Sequence, residues 1–462
     1  MALFHLALII THFYMIVNSK FISKGFTMNY TQLSDLAAAY GTPLFVMDEA
    51  RVRENCRIYI DAAANYLPQG SKILYASKAL CFRQLYDIIA AEGLGADVVS
   101  CGEIATARRA NSTSRGAGTQ DSAANSPLPD DGGLPLYFHG HAKTAADIEY
   151  ALDAGIECFV VDADNEIDLI ADAARPRGTT AKIQLRLSPD VFADTHAAIR
   201  TGAEKAKFGA SIRSGAAEQQ LIKALATPEV QLIGYHCHIG SQIFDVQPYL
   251  DTVDVMVKFA ADMHKKHGFA PQYINLGGGF AVQYVESQPE VDIAAMIQLV
   301  GERYKSACAK KGIAPPAIML EPGRSIIADA ITTLYTVSSI KEIDGVCHYT
   351  NIDGGMADNP RYALYKSPYK IANISRPDEA ETCLTTIAGR CCESGDLIQE
   401  DVMIAPPQVG DIIAVYGTGA YNYSMASNYN RLPRPALIIV KDGEARLGIR
   451  REMFEDVIRL DM

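Results

Sequence analysis

Clustered basic residues are missing from this chain of 462 residues, and its formal net charge is −12. That argues against nucleic acid as a partner, because phosphate backbones are held mainly by gathered Lys and Arg. Among ten cysteines there is no C-x-x-C pair, and only Cys391 and Cys392 adjoin, so the common zinc and redox-dithiol patterns are lacking. Reduced, mostly buried thiols in a cytoplasmic protein are the expectation, with no metal. Compositional extremes are absent too. With 48% hydrophobic and 21% charged residues the chain reads as globular, not disordered, and its length predicts two domains.

Residues 1–27 form a hydrophobic leader, apolar from Ala2 to Val17. No basic residue precedes that run and no clear cleavage pattern follows it, as a signal peptide would require. A globular pattern begins at Met28-Asn29-Tyr30. The expectation is therefore that Met28 is the true start or that the leader is dispensable; a membrane anchor is the competing reading, and no membrane partner is expected.

Short apolar runs then recur at Ile73–Ala76, Ala96–Val99, Leu134–Phe138, Cys158–Val161, Ile183–Leu187, Leu232–Ile239, Tyr273–Leu276 and Ala317–Leu320. Helix-period segments such as Ala145–Ala154, Ala216–Ala226 and Ile293–Lys311 separate them. Eight strands alternating with helices over about 250 residues predict an α/β fold of the (β/α)₈ TIM-barrel type, whose chemistry gathers where strands end. The expected barrel spans 61–330. It carries a Ser-, Gly- and Pro-rich insertion at 111–133 that reads as a flexible segment on the barrel floor. From 331 to 462, strand-like runs follow one another without long helices, with Lys441-Asp442-Gly443-Glu444 as a hairpin turn. A mainly β C-terminal domain is expected there, and residues 28–60 contribute a strand, Thr42–Met47, to it.

Polar residues follow the barrel runs with regularity. Lys78 comes after the first; Asp97 with Ser100-Cys101-Gly102-Glu103 marks the second; Arg186 belongs to the fifth. His236-Cys237-His238-Ile239-Gly240-Ser241-Gln242 closes the sixth, Gly277-Gly278-Gly279 the seventh and Glu321-Pro322-Gly323-Arg324 the eighth. A lysine at a strand end in a water-poor pocket can attack carbonyls, although a lysine that merely caps a strand is the commoner case. Three glycines let backbone N–H groups approach an anion, and the helix that follows can point its positive end at it. Ser241 and Arg324 can add a hydroxyl and a guanidinium. An imine-forming lysine beside a phosphate cradle suggests pyridoxal phosphate, with Glu321 facing the ring nitrogen and His238 flat against the ring. The plainer alternatives are a Glu321–Arg324 ion pair and a hydrogen-bonded core histidine.

Tyr75-Ala76-Ser77-Lys78, His236 to Gln242, Gly277 to Phe280, Glu321 to Arg324, Cys392-Glu393-Ser394-Gly395-Asp396 and Gly419-Ala420-Tyr421 together resemble diaminopimelate decarboxylase, over roughly Thr42 to Val457. That resemblance implies a pyridoxal-phosphate enzyme with an alanine-racemase-like barrel and a β-sandwich. Its activity would be decarboxylation of meso-2,6-diaminopimelate to L-lysine, the last step of lysine biosynthesis. Lys78 would hold the cofactor, His238 would stack on its ring and Glu321 would pair with its nitrogen. Ser241, Gly277, Gly278, Gly279 and Arg324 would bind its phosphate or the substrate carboxylate beside it, and Asp97 and Gly323 belong to the same cofactor-contacting set. Arg361 and Tyr365 would face the substrate's distal carboxylate, and Tyr421 would touch both cofactor and substrate. Cys392 as proton donor and Glu393 as reader of the distal amino group would come from the partner subunit of a homodimer.

One departure is visible: Arg361-Tyr362 stands where the family usually has Arg-Pro. Four rival readings compete with this one. A decarboxylase for ornithine, arginine or carboxynorspermidine on the same fold is opposed by Arg361 and the Cys392-Glu393 context, and a racemase by Glu321. A metal-dependent hydrolase built on His236 and His238 lacks an obvious third ligand. A silent regulatory homologue conflicts with retained Lys78 and Cys392.

Overall fold

The computed structural model describes residues 28–110, 133–191, 207–344 and 347–462. The leader and nearly all of the 111–133 insertion lie outside them. Two compact units are present. One is Arg53–Ile326; the other joins Ile327–Met462 to the described part of Met1–Val52.

The first unit is a closed parallel barrel. Its strands are β1 (Lys72–Ala76), β2 (Gly95–Val98), β3 (Leu136–Phe138), β4 (Cys158–Val161), β5 (Ala181–Ser188), β6 (Val230–His236), β7 (Tyr273–Asn275) and β8 (Ala317–Leu320). Each pairs with the next, and β8 pairs back onto β1 through Met319 and Leu320, so the eight close on themselves, and the two-residue strand Ala210–Ser211 pairs beside the end of β5. The fold class expected from the alternating pattern is thus realised. Strand interiors read as continuous apolar runs because both faces are covered: every residue of β4 is buried. The barrel interior is filled by side chains, Leu74, Tyr137, Cys158, Ile233 and Met319 forming one cluster. Burying each large apolar side chain stabilises the fold by about 1.5–3 kcal/mol.

The outer helices form for local reasons as well. In Arg83–Ala91 the buried residues Leu85, Tyr86, Ile88 and Ile89 lie three and four apart on one stripe. Thr144 and Asp147 close a capping box at the start of Ala145–Asp153. Helix Ile293–Lys311 is opened by Asp292, which accepts from Ala295 N, and stopped by left-handed Gly312.

The second unit is built on a nine-stranded sheet. Strand Leu44–Asp48, buried throughout, lies antiparallel to Ile331–Ile343 and parallel to Ala436–Lys441. Ala436–Lys441 turns back through Asp442 and Gly443, both at positive φ, into Glu444–Ile449, the conformation a two-residue hairpin demands. Helix Tyr30–Tyr40 packs Leu33 and Ala37 against Leu44, Val46, Leu334 and Ile438. Among the described residues no helix is long and apolar enough to cross a membrane.

Candidate active site

The strand ends of the barrel carry a converging set of charged groups. Lys78 sits in the short turn Ser77–Ala79 directly after β1; Ser77 and Ala79 are buried while the Lys78 side chain is 43% exposed. Its Nζ lies 3.9 Å from Oδ2 of Asp97, a residue inside β2 with almost no exposure. Burial raises the Asp97 pKa, and the charges of His139 and Lys78 oppose that rise. Next to this pair Glu103 accepts Val99 N–H at 2.7 Å, and burial pushes its pKa up to about 7.

Glu321, just beyond β8, is the best-held carboxylate of the rim. Asn275 Nδ2 donates to Oε1 at 2.5 Å, His139 Nε2 lies 3.0 Å from the same oxygen, and His236 Nε2 lies 3.1 Å from Oε2. Burial alone would raise its pKa, but His139 and His236 outweigh burial and hold the carboxyl well below the usual range. Burial pushes His236 down to about 4, so at neutral pH it is an uncharged ring donating Nε2–H. The Glu321–Arg324 pair considered as the plain reading is replaced by this histidine cage.

His238 lies two residues on and is partly exposed; burial of its ring and the nearby cations Lys78 and Arg186 drive its pKa well down. On the other side, Arg324 donates from Nη2 to Ser241 Oγ at 3.0 Å and from Nη1 to Tyr284 Oη at 2.9 Å. Between them runs the triple glycine. A Cβ at 277, 278 or 279 would collide with a carbonyl oxygen of Cys237, Glu321 or Gly240 respectively, so only glycine lets these strand ends close up. Gly323 is similarly crowded by Ala76. The helix that follows the glycines is Ile293–Lys311, at the bounds its periodicity predicts, and residues 281–292 between them contain none. The groups at this turn able to meet an anion are backbone N–H groups, Ser241 and Arg324.

These residues fit a pyridoxal phosphate. An anionic carboxylate caged by histidines suits a protonated ring nitrogen, the glycine turn with Arg324 and Ser241 suits the phosphate, and Lys78 is accessible for the aldehyde.

The other candidates lie in the second unit. Arg361 opens the short helix Arg361–Tyr365, buried, donating from Nη1 to Tyr369 Oη at 3.2 Å and from Nη2 to Ser367 Oγ at 3.0 Å. Tyr365 ends that helix. Cys392 and Glu393 are exposed on the turn before Leu397–Ile404, where Cys392 N–H donates to Asn430 Oδ1 at 2.7 Å. Tyr421 adopts a positive φ of 61°. The structure thus brings Lys78, Asp97, His238, Ser241, Gly277, Gly278, Gly279, Glu321, Gly323 and Arg324 into one unit, and Arg361, Tyr365, Cys392, Glu393 and Tyr421 into the other.

Sequence reasoning missed His139, Asn275 and Tyr284. His139 had a usable signal, since His139-Gly140-His141 follows β3 just as the other polar groups follow their strands. It also changes the metal reading. Among the described residues the group able to hold an ion is His139, His236 and Glu321, so His236 finds its neighbours across the barrel mouth and not in His238.

Residues 52–328 match the family model described as pyridoxal-dependent decarboxylase, pyridoxal binding domain. The chain is 42% identical over 428 residues to a protein of Halalkalibacterium halodurans named diaminopimelate decarboxylase, covering 93% of each. The chain belongs to the diaminopimelate decarboxylase family. A Bacillus subtilis member is 40% identical over 92% of this chain and 93% of its own. The fold of the family is shared by a solved diaminopimelate decarboxylase from M. jannaschii in complex with L-lysine (TM-score 0.81, 32% identity, covering 93% of this chain and 94% of that one). A Helicobacter pylori diaminopimelate decarboxylase complexed with L-lysine gives a TM-score of 0.80 at 28% identity, over 93% and 99% of the two chains. A solved lysine/ornithine decarboxylase from Vibrio vulnificus shares the fold with a TM-score of 0.69 at 22% identity, over 90% of this chain and 98% of that one.

Proposed function

We propose that this protein converts meso-2,6-diaminopimelate to L-lysine and carbon dioxide with pyridoxal phosphate, closing lysine biosynthesis in the cytoplasm. The observation that carries the reaction class is the Glu321 carboxylate, kept ionised between His139 and His236 at the barrel mouth that also holds Lys78 and the glycine turn. Substrate choice rests on the family, whose members match over more than nine-tenths of this chain.

When bound, the cofactor supplies an electron sink for the bond that releases carbon dioxide. Lys78 would hold it, with Asp97 keeping the freed ammonium near. Glu321 would keep a proton on the ring nitrogen, and His238 would fix the plane of the ring. Gly277 to Gly279, Ser241 and Arg324 would grip the phosphate. For the substrate, Arg361 would take the distal carboxylate through its guanidinium fork with Tyr365 beside it, and Glu393 would meet the distal ammonium. Cys392 Sγ would return a proton to the α-carbon. Tyr421 would line both ligands.

Cys392 and Glu393 are assigned to the neighbouring subunit's site, which makes the homodimer the working unit. Mixing Lys78→Ala and Cys392→Ala subunits tests this: shared sites restore up to about a quarter of the native activity by random pairing, whereas unshared sites restore none. Substrate is tested by carbon dioxide release from meso-diaminopimelate, ornithine and arginine offered separately. Release from ornithine and not from diaminopimelate overturns the assignment.

A further inference from the structure

Two loops of the second unit matter here: 353–360, which leads into Arg361, and 389–396, which carries Cys392 with Glu393. Between them lies one buried carboxylate. Asp396 Oδ1 accepts Met356 N–H at 2.5 Å from the first loop, and Oδ2 accepts Cys391 N–H at 2.6 Å from the second. The main chain follows the same line: Arg390 N–H donates to Gly354 O at 3.0 Å, and Gly389 N–H to Asp396 O at 2.8 Å. The first loop is also held from behind, where Asp358 accepts Gly355 N–H at 3.0 Å and the Tyr335 hydroxyl at 2.5 Å.

Room for the carboxylate is made by two glycines. A Cβ at Gly355 or at Gly389 would run into the Asp396 carboxylate group, and at both positions the three nearest atoms are those of Asp396. Gly355 also has a φ of 156°, whereas Gly389 has no such backbone constraint. At Gly389, then, contact with Asp396 is what excludes a side chain.

We infer that Asp396 is a positioning residue: its carboxylate locks the two loops into one body, so that Arg361 keeps its place for this subunit's site and the Cys392-Glu393 turn keeps its place for the partner's. This rests on the roles proposed above for those three residues. The aspartate touches no substrate; it acts through the backbone of Met356 and Cys391. A hydrogen-bonded carboxylate suits the task because it offers acceptors on two sides at once and no donor that would repel either N–H.

The test is a double-mutant cycle on the holoenzyme with meso-diaminopimelate. Asp396→Asn, which retains one acceptor oxygen, is expected to lower kcat/KM about tenfold, and Asp396→Ala about a hundredfold, with cofactor loading kept. Gly389→Ala alone should cost about tenfold by displacing the carboxylate. In the Asp396→Ala background the same glycine change should cost less than twofold, because the carboxylate atoms nearest to the Cβ are gone. Full multiplication of the two losses would overturn the inference, as would Asp396→Asn at native kcat/KM. Amide exchange gives a readout that needs no turnover and covers poorly folding variants through the milder Asn change. Faster exchange at Met356 and Cys391 together, with the barrel peptides unchanged, supports the lock. Native protection at both sinks it, even if the substrate assignment fails separately.

Discussion

Replacing Glu321 by Gln changes almost no volume and removes one charge. In the native protein both oxygens accept: Oε1 from Asn275 with His139 close by, and Oε2 from His236. Glutamine has a single oxygen. If that oxygen keeps Asn275, the amide NH₂ faces His236 Nε2, and that ring must either lose its bond or carry its proton on Nδ1. His236 Nδ1 has no hydrogen-bond partner among the described residues, so the second choice buries an unsatisfied donor. Either route sacrifices a hydrogen bond to a charged group, about 1.5–3 kcal/mol. The ring nitrogen of a bound cofactor loses its counter-charge in the same stroke. If that amount is expressed at the transition state, kcat falls roughly 10- to 150-fold. The assay is carbon dioxide release at saturating diaminopimelate, normalised to bound cofactor by absorbance, with cofactor affinity measured in parallel. A fully loaded Glu321→Gln enzyme within threefold of native kcat would refute the reasoning.

Three further outcomes follow from individual contacts. Glu103 is pushed by burial from 4.5 to about 7; a carboxyl raised on folding contributes stability that is complete below its unfolded pKa and lost as pH climbs through the folded one. Melting temperature of Glu103→Gln should therefore fall less than that of the native protein between about pH 4.5 and 7, and parallel curves would contradict the assignment. Gly278→Ala places a Cβ against the carbonyl of Glu321, so we expect about 1–3 kcal/mol of destabilisation from overpacking and weakened cofactor binding, read by denaturant melts and dialysis. Tyr362, where the family usually has proline, donates to Glu400 Oε2 at 2.7 Å and accepts Glu400 N–H at 3.2 Å, anchoring the helix that carries Arg361. Tyr362→Phe should raise KM for diaminopimelate about fivefold, the value of one hydrogen bond near 1 kcal/mol, and leave kcat near native; an unchanged KM would show that the helix needs no such anchor.

Local sequence carried the barrel and most of its rim. Apolar runs of strand length alternating with helical stripes have few packed solutions other than a closed parallel sheet, and strand ends then become the rim without further information. Lys78, the triple glycine and Arg324 were readable for that reason. Partnership across the rim was not. Whether Glu321 pairs with Arg324 or with histidines depends on how β3, β6 and β8 are arranged around the closed sheet, and residues 139, 236 and 321 are remote in the chain. Asp396 shows the division most sharply. Its position beside Cys392 is visible in the sequence, yet its work as a tie between two loops exists only because folding brings Met356 and Cys391 to opposite oxygens of one carboxylate. Strand and helix periodicity are properties of neighbours along the chain and survive in the sequence, whereas a carboxylate's charge state and partners are set by what surrounds it in space.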